Sequence, residues 1–335
     1  MQDPDTGLIV GAIQVKVAKA KVDRKTLMKS AKVSAAVQLV TEKKVTLSGV
    51  LDMMTGRFEA TDRAGRKLTL LIGANSLSGR YGKYLVDGAQ NKFTTKNANA
   101  KAIGSVALTR CQGVWTVAWP AADGSGWNGL SLTVSAKGKV KAAGVLTDGS
   151  KVSATSQLLV GDGGVCVIPV VVAKNVRLAF TVWLSSKGVE VVGLEDAVPG
   201  VRKVGALAGG SAVDFDAAAF CNLLGDSTFA ACLPIGLSVA QSGNKWVVAG
   251  GAKTGKVQLT KEGALDEAKA GVNPSALKIA FTAKTGTFKG SFKAYSLVKG
   301  KPKATTVTVS GVLVDGAGYG TASAKKLGGV PLTIK

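Results

Sequence analysis

Apolar and polar residues alternate one by one through most of this chain, and that period of two limits the fold more than any other feature. In AIQVKVAKAKV (12–22), Ile13, Val15 and Val17 fall on one side, and Gln14 and Lys16 on the other. A strand sends successive side chains to opposite faces, so such a run reads as a half-buried strand, apolar inward and polar outward. The pattern returns in KVTLSGVL (44–51), RKLTLLI (66–72), GVWTVAW (113–119), RLAFTVWL (177–184), LKIAFTA (277–283), TFKGSFKAY (287–295) and ATTVTVSGVLV (304–314). Asp-Gly pairs at 87–88, 123–124, 148–149, 162–163 and 315–316 punctuate these runs. Asp-Gly suits tight hairpin turns, and short connections join antiparallel rather than parallel neighbours.

The expected fold is therefore all-β: roughly twenty strands in antiparallel hairpin meanders, forming two β-barrel- or sandwich-like domains. The Gly-rich stretch around 188–212, which contains Pro199, is the expected boundary. The first domain is placed at 1–190 and the second at 205–335. Two segments depart from the alternation. SAVDFDAAAFCNLLG (211–225) predicts a short helix near 211–224, with Asp214 as its cap and Gly225 as its stop. EGALDEAKAG (262–271) predicts one or two helical turns.

Certain phrases repeat without a fixed period. AKTGTF (283–288), AKTGKV (252–257), AKGKV (136–140) and TGRF (55–58) share a glycine before a strand, and GVL recurs at 49–51, 144–146 and 311–313. Irregular spacing argues against a solenoid or propeller and for repeated hairpin units. In AKTGTFKGSFKAY, Phe288 and Phe292 fall on one side with Gly290 between them, and Lys289 and Lys293 face the other way. The phrase reads as scaffold.

Composition then restricts chemistry. The 335 residues are 46% hydrophobic, enough for a packed core, and include 43 Gly. Histidine is absent, which excludes Ser-His-Asp triads, Cys-His dyads and histidine-bearing zinc sites. Four cysteines, Cys111, Cys166, Cys221 and Cys232, contain no CxxC pair, so neither metal nor redox use is expected, and no cofactor is expected. An even count fits two disulfides, Cys221 with Cys232 and Cys111 with Cys166; four buried thiols is the competing reading. No run of about 18 apolar residues is present, so no spanning helix is expected. The opening MQDPDTG is polar and reads as a processed end rather than a signal peptide.

Lys plus Arg number 43 against 21 Asp plus Glu, a net charge of +22. Such a surface attracts polyanions. No helix-turn-helix, RRM or zinc module is visible, so no specific nucleic acid is expected. The lysines are dispersed, which also fits the plain solvent face of alternating strands.

The segments NPSALKIAFTAKTGTFKGSFKAY (273–295), VTVSGVLVDGAGYGTASAKK (307–326) and KGKVKAAGVLTDGSKVSATSQLLVG (137–161) resemble the C-terminal β-rich repeat region of large secreted or surface proteins of planctomycete–verrucomicrobial bacteria. The resemblance covers about half of the chain. It implies a secreted or cell-surface setting and a place near the end of a longer precursor, and it transfers no catalytic residue.

Three site classes deserve comparison. Trp115, Trp119 and Trp127 are candidates for a sugar-stacking platform, against a core role. Glu195 with Asp196, and Asp214 with Asp216, are the carboxylate pairs for a hydrolase. GAGYGTASAKK (316–326) is glycine-rich, yet it lacks the GK[ST] of a phosphate loop. An outer-membrane barrel would need aromatic girdles, and aromatics are only 5%. The expected function is a non-catalytic structural or adhesion module with a basic surface. Its partners would be anionic polysaccharide, a cell-envelope polymer or other surface-protein domains. The alternative is a carbohydrate-binding module using the three tryptophans.

Overall fold

The computed structural model describes residues 1–26, 28–93, 98–161, 164–173, 176–185, 188–199, 210–249, 257–324 and 327–335. It is mostly β, in antiparallel sheets, as the alternation predicts. The chain forms two compact units. One comprises Met1–Gln112, Val134–Lys141 and Ala154–Glu195; the other comprises Gly113–Thr133, Ala142–Ser153 and Asp196–Lys335. Of the boundary expected near 190–205, residues 190–199 are described and include the break between the units at Glu195 and Asp196, while 200–205 lie outside the described residues.

The first sheet contains β1 (Gly11–Val17), β2 (Lys21–Val22), β3 (Lys29–Leu39), β4 (Val45–Asp52), β5 (Arg57–Thr61), β6 (Lys67–Ile72), β7 (Ser76–Tyr81) and β8 (Tyr84–Ala89). Its order is β1-β3-β4-β5-β6-β7-β8, with β2 on β3. Gln2 bridges both Leu85 of β8 and Ile9 just before β1, so the N-terminal residues join the two edges of the sheet. A sheet that curls until its edges meet leaves no long unpaired strand. Phe58, Leu68, Leu70 and Tyr81 fill its interior with no exposed surface.

Helix α1 (Ala98–Cys111) follows, and the alternation gave no sign of it. Among its described positions Gly104, Ala107 and Cys111 are buried, while Ile103 and Val106 are exposed. A helix seated by small residues carries no large apolar stripe for a period-based reading to detect.

Next come β9 (Gly113–Pro120), β10 (Trp127–Val134), β11 (Lys139–Val145) and β12 (Lys151–Gln157). With β17 (Val198–Pro199) they make a five-stranded sheet in the order β12-β11-β10-β9-β17. Strands β13 (Leu159–Val160), β14 (Cys166–Val172), β15 (Leu178–Ser185) and β16 (Gly188–Val192) form a four-stranded meander in chain order.

The last sheet has eight strands: β18 (Val213–Phe215), β19 (Val239–Ser242), β20 (Lys245–Val248), β21 (Lys278–Thr282), β22 (Thr287–Val298), β23 (Lys301–Val314), β24 (Ala317–Ala324) and β25 (Gly329–Ile334). The order β18-β25-β24-β23-β22-β21-β20-β19 returns to its start, because Ala212 bridges Ser238 beside β18 and β19. Phe215, Phe220 and Phe292 meet inside it, with centroids 5.4 to 5.9 Å apart. Trp246 stacks on Phe281 at 5.5 Å and leans on Phe288 at 5.4 Å.

Helix α2 (Ala217–Leu224) lies where the Ala-rich run predicts it and ends on left-handed Gly225. Its cap is Asp216 rather than Asp214. The Asp216 carboxylate accepts the Ala219 amide at 2.9 Å, whereas Asp214 pairs with Thr333 inside the sheet. Alternation continues two residues further than expected, and Asp214 is simply its outward-facing member. A four-residue helix, α3 (Glu267–Ala270), occupies the second helical segment. After the phrase AKTGKV (252–257), of which 252–256 lie outside the described residues, the chain contributes an isolated bridge at Leu259.

The turns divide into kinds. Asp315 and Gly316 both take positive φ, 46° and 80°, as a type I′ hairpin requires. At Asp123-Gly124 and Asp148-Gly149 only the glycine does, at 69° and 84°. Asp87-Gly88 is no turn: both sit in β8, and the chain reverses earlier at Gly82-Lys83. Asp162-Gly163 lies outside the described residues. The recurring phrase is a turn wherever it is described, because Gly56, Gly138 and Gly286 all adopt left-handed φ of 63° to 71°.

Candidate functional site

The three tryptophans do not form a platform. Strand β9 is buried on both faces, and Trp115 and Trp119 are 8% and 7% exposed. Trp127, on β10, is half-buried and packs on Tyr319 with ring centroids 5.1 Å apart and planes inclined at 42°. The Lys335 ammonium sits 5.7 Å from the Trp127 ring centre and 5.4 Å from that of Tyr319. An ammonium over two rings is a cation–π contact.

The carboxylate pairs are likewise committed or isolated. Asp216 caps α2, and Asp214, Glu195 and Asp196 stand exposed. A general acid working near neutral pH needs its pKa raised. Among the described residues, every carboxylate whose pKa moves is moved down. Asp52 is lowered by the Thr55 hydroxyl, Glu59 by Lys67 and then Arg57, and Asp123 by the side chain and amide of Ser125. The largest shift belongs to Asp62, held at about 2 by the Tyr81 hydroxyl first and then by the Arg66 amide and guanidinium. Arg66 also pairs with Glu42 at 2.8 Å and lies 4.9 Å above the Tyr81 ring. This is a closed structural network in which each group answers another.

All four cysteines are buried and none is in a disulfide, so neither expected disulfide is formed. Cys221 and Cys232 pack within and beside α2, and burial pushes the Cys232 thiol up to about 11. The Cys166 thiol donates to the Gly164 carbonyl at 3.7 Å, and its pKa is lowered first by the Cys111 side chain. Among the described residues no cluster of His, Cys, Asp or Glu is set to hold a metal ion, and no helix is long and apolar enough to cross a membrane.

The feature that does concentrate is positive charge on the outer face of the last sheet. From Val272 to Lys335 there are ten lysines and one carboxylate, Asp315. Strand register arranges four lysines in a zigzag. Lys245 of β20 lies opposite Ala280 of β21, and Ala280 lies opposite Lys289 of β22. Lys278 lies opposite Ser291, so it is diagonal to Lys245, Lys289 and Lys293. Diagonal neighbours on one face of a sheet are about 7–8 Å apart. The strand beyond adds hydroxyls: Ser310 lies opposite Lys289, and Thr306 accepts a hydrogen bond from the Lys293 ammonium. None of these four lysines is in an ion pair among the described residues; six of the seven pairs present lie in the first unit.

Sequence reasoning identified Lys289 and Lys293 as outward-facing but missed the arrangement. Alternation gives the face of each lysine, and the zigzag needs the register between strands. No protein-family model matches the chain, and no curated protein matches it.

Proposed function

We propose that this protein is a non-catalytic, secreted or cell-surface module that holds an anionic polymer on the outer face of its last sheet. The observation that carries the reading is the Lys245–Lys278–Lys289–Lys293 zigzag, flanked by Ser291, Thr306 and Ser310 and free of carboxylates. Like charges at neighbouring positions of a sheet repel, so such a cluster costs stability unless an anion neutralises it. Each ammonium is exposed or nearly so, so each contact is weak and screened by salt. Affinity then comes from several contacts made at once along one polymer.

A sulfated or uronic polysaccharide, or an anionic cell-envelope polymer, fits this face. The setting rests on the resemblance of residues 137–161, 273–295 and 307–326 to terminal repeats of large surface proteins, which also makes a neighbouring surface domain a natural partner. The stacking alternative loses support from the burial of Trp115 and Trp119 and from Lys335 lying over Trp127. The test is retention on heparin and on a neutral polysaccharide. The proposal predicts retention on heparin alone, lost by about 0.5 M salt, where the screening length is under half its value at 0.1 M. Retention on the neutral polymer that resists salt and is abolished by Trp127→Ala would replace it.

A further inference from the structure

One end of the first sheet presents apolar side chains to solvent among cations. Strand register places two turns side by side there. Val22 lies opposite Lys29 and Lys21 opposite Ser30, and the Asp23 amide donates to the Met28 carbonyl at 2.9 Å, which closes the β2–β3 turn. Ser30 in turn lies opposite Asp52, where β4 enters the turn at 53–56. The Gly56 carbonyl accepts the Ile72 amide at 2.8 Å, so the end of β6 adjoins the same turn. Val22, Met28, Met53, Met54 and Leu71 stand at this end, 42% to 81% exposed. They are five of the fifteen large hydrophobic residues exposed among the described residues. Single exposed apolar residues are ordinary, whereas a concentration of them marks an interaction surface. The cations lie between them. From Lys16 to Lys29 the chain has six cations and one carboxylate, Asp23. Lys21, Arg24, Lys25 and Lys29 are exposed and in no ion pair among the described residues. The carboxylates of the two turns are turned onto their own backbone. Asp23 accepts the amides of Lys25 at 2.8 Å and Thr26 at 2.9 Å, and Asp52 accepts the Met54 amide at 2.9 Å and the Thr55 hydroxyl at 2.7 Å.

We propose that this end of the first sheet docks on an anionic lipid bilayer. Met28 and Met54 enter the boundary between headgroups and acyl chains, and Lys21, Arg24, Lys25 and Lys29 lie among the lipid phosphates. The apolar and cationic parts of the surface select this partner together. A soluble polyanion offers charge and no apolar phase. An apolar protein groove would take the methionines and leave the four cations without partners. Interfacial membrane binding draws on both terms, the buried apolar area and the attraction to anionic headgroups. Methionine suits the role, because its unbranched, flexible side chain adapts to irregular apolar surroundings. The lysine zigzag belongs to the other compact unit, so lipid and polymer binding are separable by substitution.

The test is co-sedimentation of the protein with vesicles of equal parts phosphatidylglycerol and phosphatidylcholine, and with phosphatidylcholine alone, at physiological salt. Binding is expected to the anionic vesicles. Met28→Gln with Met54→Gln weakens it at least about tenfold, less than the worth of two fully buried methionine side chains, and leaves heparin retention unchanged. Arg24→Gln with Lys25→Gln weakens it about fivefold per charge. Changing the four zigzag lysines to Gln weakens it less than that pair does. In Met54→Trp, brominated acyl chains quench the fluorescence more than in wild type. The substituted side chains are exposed, and thermal unfolding checks that each variant is folded. No sedimentation with the anionic vesicles, undiminished binding by the methionine variant, a greater loss in the zigzag variant, or quenching of Met54→Trp no stronger than of wild type would overturn the proposal.

Discussion

The Tyr81 hydroxyl donates a hydrogen bond to the buried carboxylate of Asp62, nineteen residues earlier, and this single contact does most to keep Asp62 ionised. Asp62 also shapes the β5–β6 turn by accepting the amides of Ala64 at 2.9 Å and Arg66 at 2.8 Å. One side chain therefore fastens a turn to the interior of the first sheet. A carboxylate whose folded pKa is depressed adds stability above its ordinary 3.8, and that stability is lost as pH falls through about 2. Tyr81→Phe keeps the ring beneath Arg66 and removes the donor. It should cost about 2 kcal/mol at pH 7, the worth of a hydrogen bond to a charged group. The difference from wild type should shrink as pH falls from about 4 toward 2. Urea denaturation across that range measures both.

Gly290 answers a packing demand rather than a turn. A Cβ there would stand 2.2 Å from the Lys278 carbonyl oxygen of the paired strand, which is backbone and cannot swing aside. Gly290→Ala should therefore destabilise by about 1–3 kcal/mol, as an overpacked site does. Gly328→Ala is the control, because its Cβ makes only ordinary contacts, with the Leu223 side chain at 3.6 Å and the Asp148 carbonyl oxygen at 3.9 Å. It should stay within about 0.5 kcal/mol of wild type. Thermal unfolding of the two variants side by side distinguishes local crowding from a general intolerance of alanine.

The helix cap gives a second discriminating pair. Asp216→Ala removes the acceptor for the Ala219 amide and should cost about 1 kcal/mol. Asp214→Ala changes an exposed outward position on β18 and should cost less than about 0.5 kcal/mol. A larger loss at Asp214 than at Asp216 would contradict the cap assignment.

What was legible in the sequence was whatever depends on neighbours along the chain. Alternation placed Phe288 and Phe292 inside and Lys289 outside, and the glycine of the recurring phrase marked a turn at Gly56, Gly138 and Gly286. Features set by contacts across strands were not legible. Trp115 and Trp119 sit on a strand covered on both faces, although their own alternation is that of a half-exposed one. Helix α1 is held by small residues and so shows no apolar stripe. Asp87-Gly88 carries a turn signature inside β8 because Gly82, five residues earlier, already reverses the chain with φ of 56°. The lysine zigzag spans three strands, and no single stretch contains it.

The most direct test of the account is the salt dependence of heparin binding by three proteins. One is wild type, one carries Lys245, Lys278, Lys289 and Lys293 changed to Gln, and one carries the scattered exposed lysines Lys19, Lys44, Lys137 and Lys151 changed to Gln. Relief of like-charge repulsion should leave the zigzag variant at least as stable as wild type, and the last two have the same net charge. The account predicts that the zigzag variant loses most of its retention, with a slope of log affinity against log salt reduced by about one per contacting lysine, while the scattered variant stays close to wild type. Equal losses in the two variants would contradict it and make the binding a property of net charge alone.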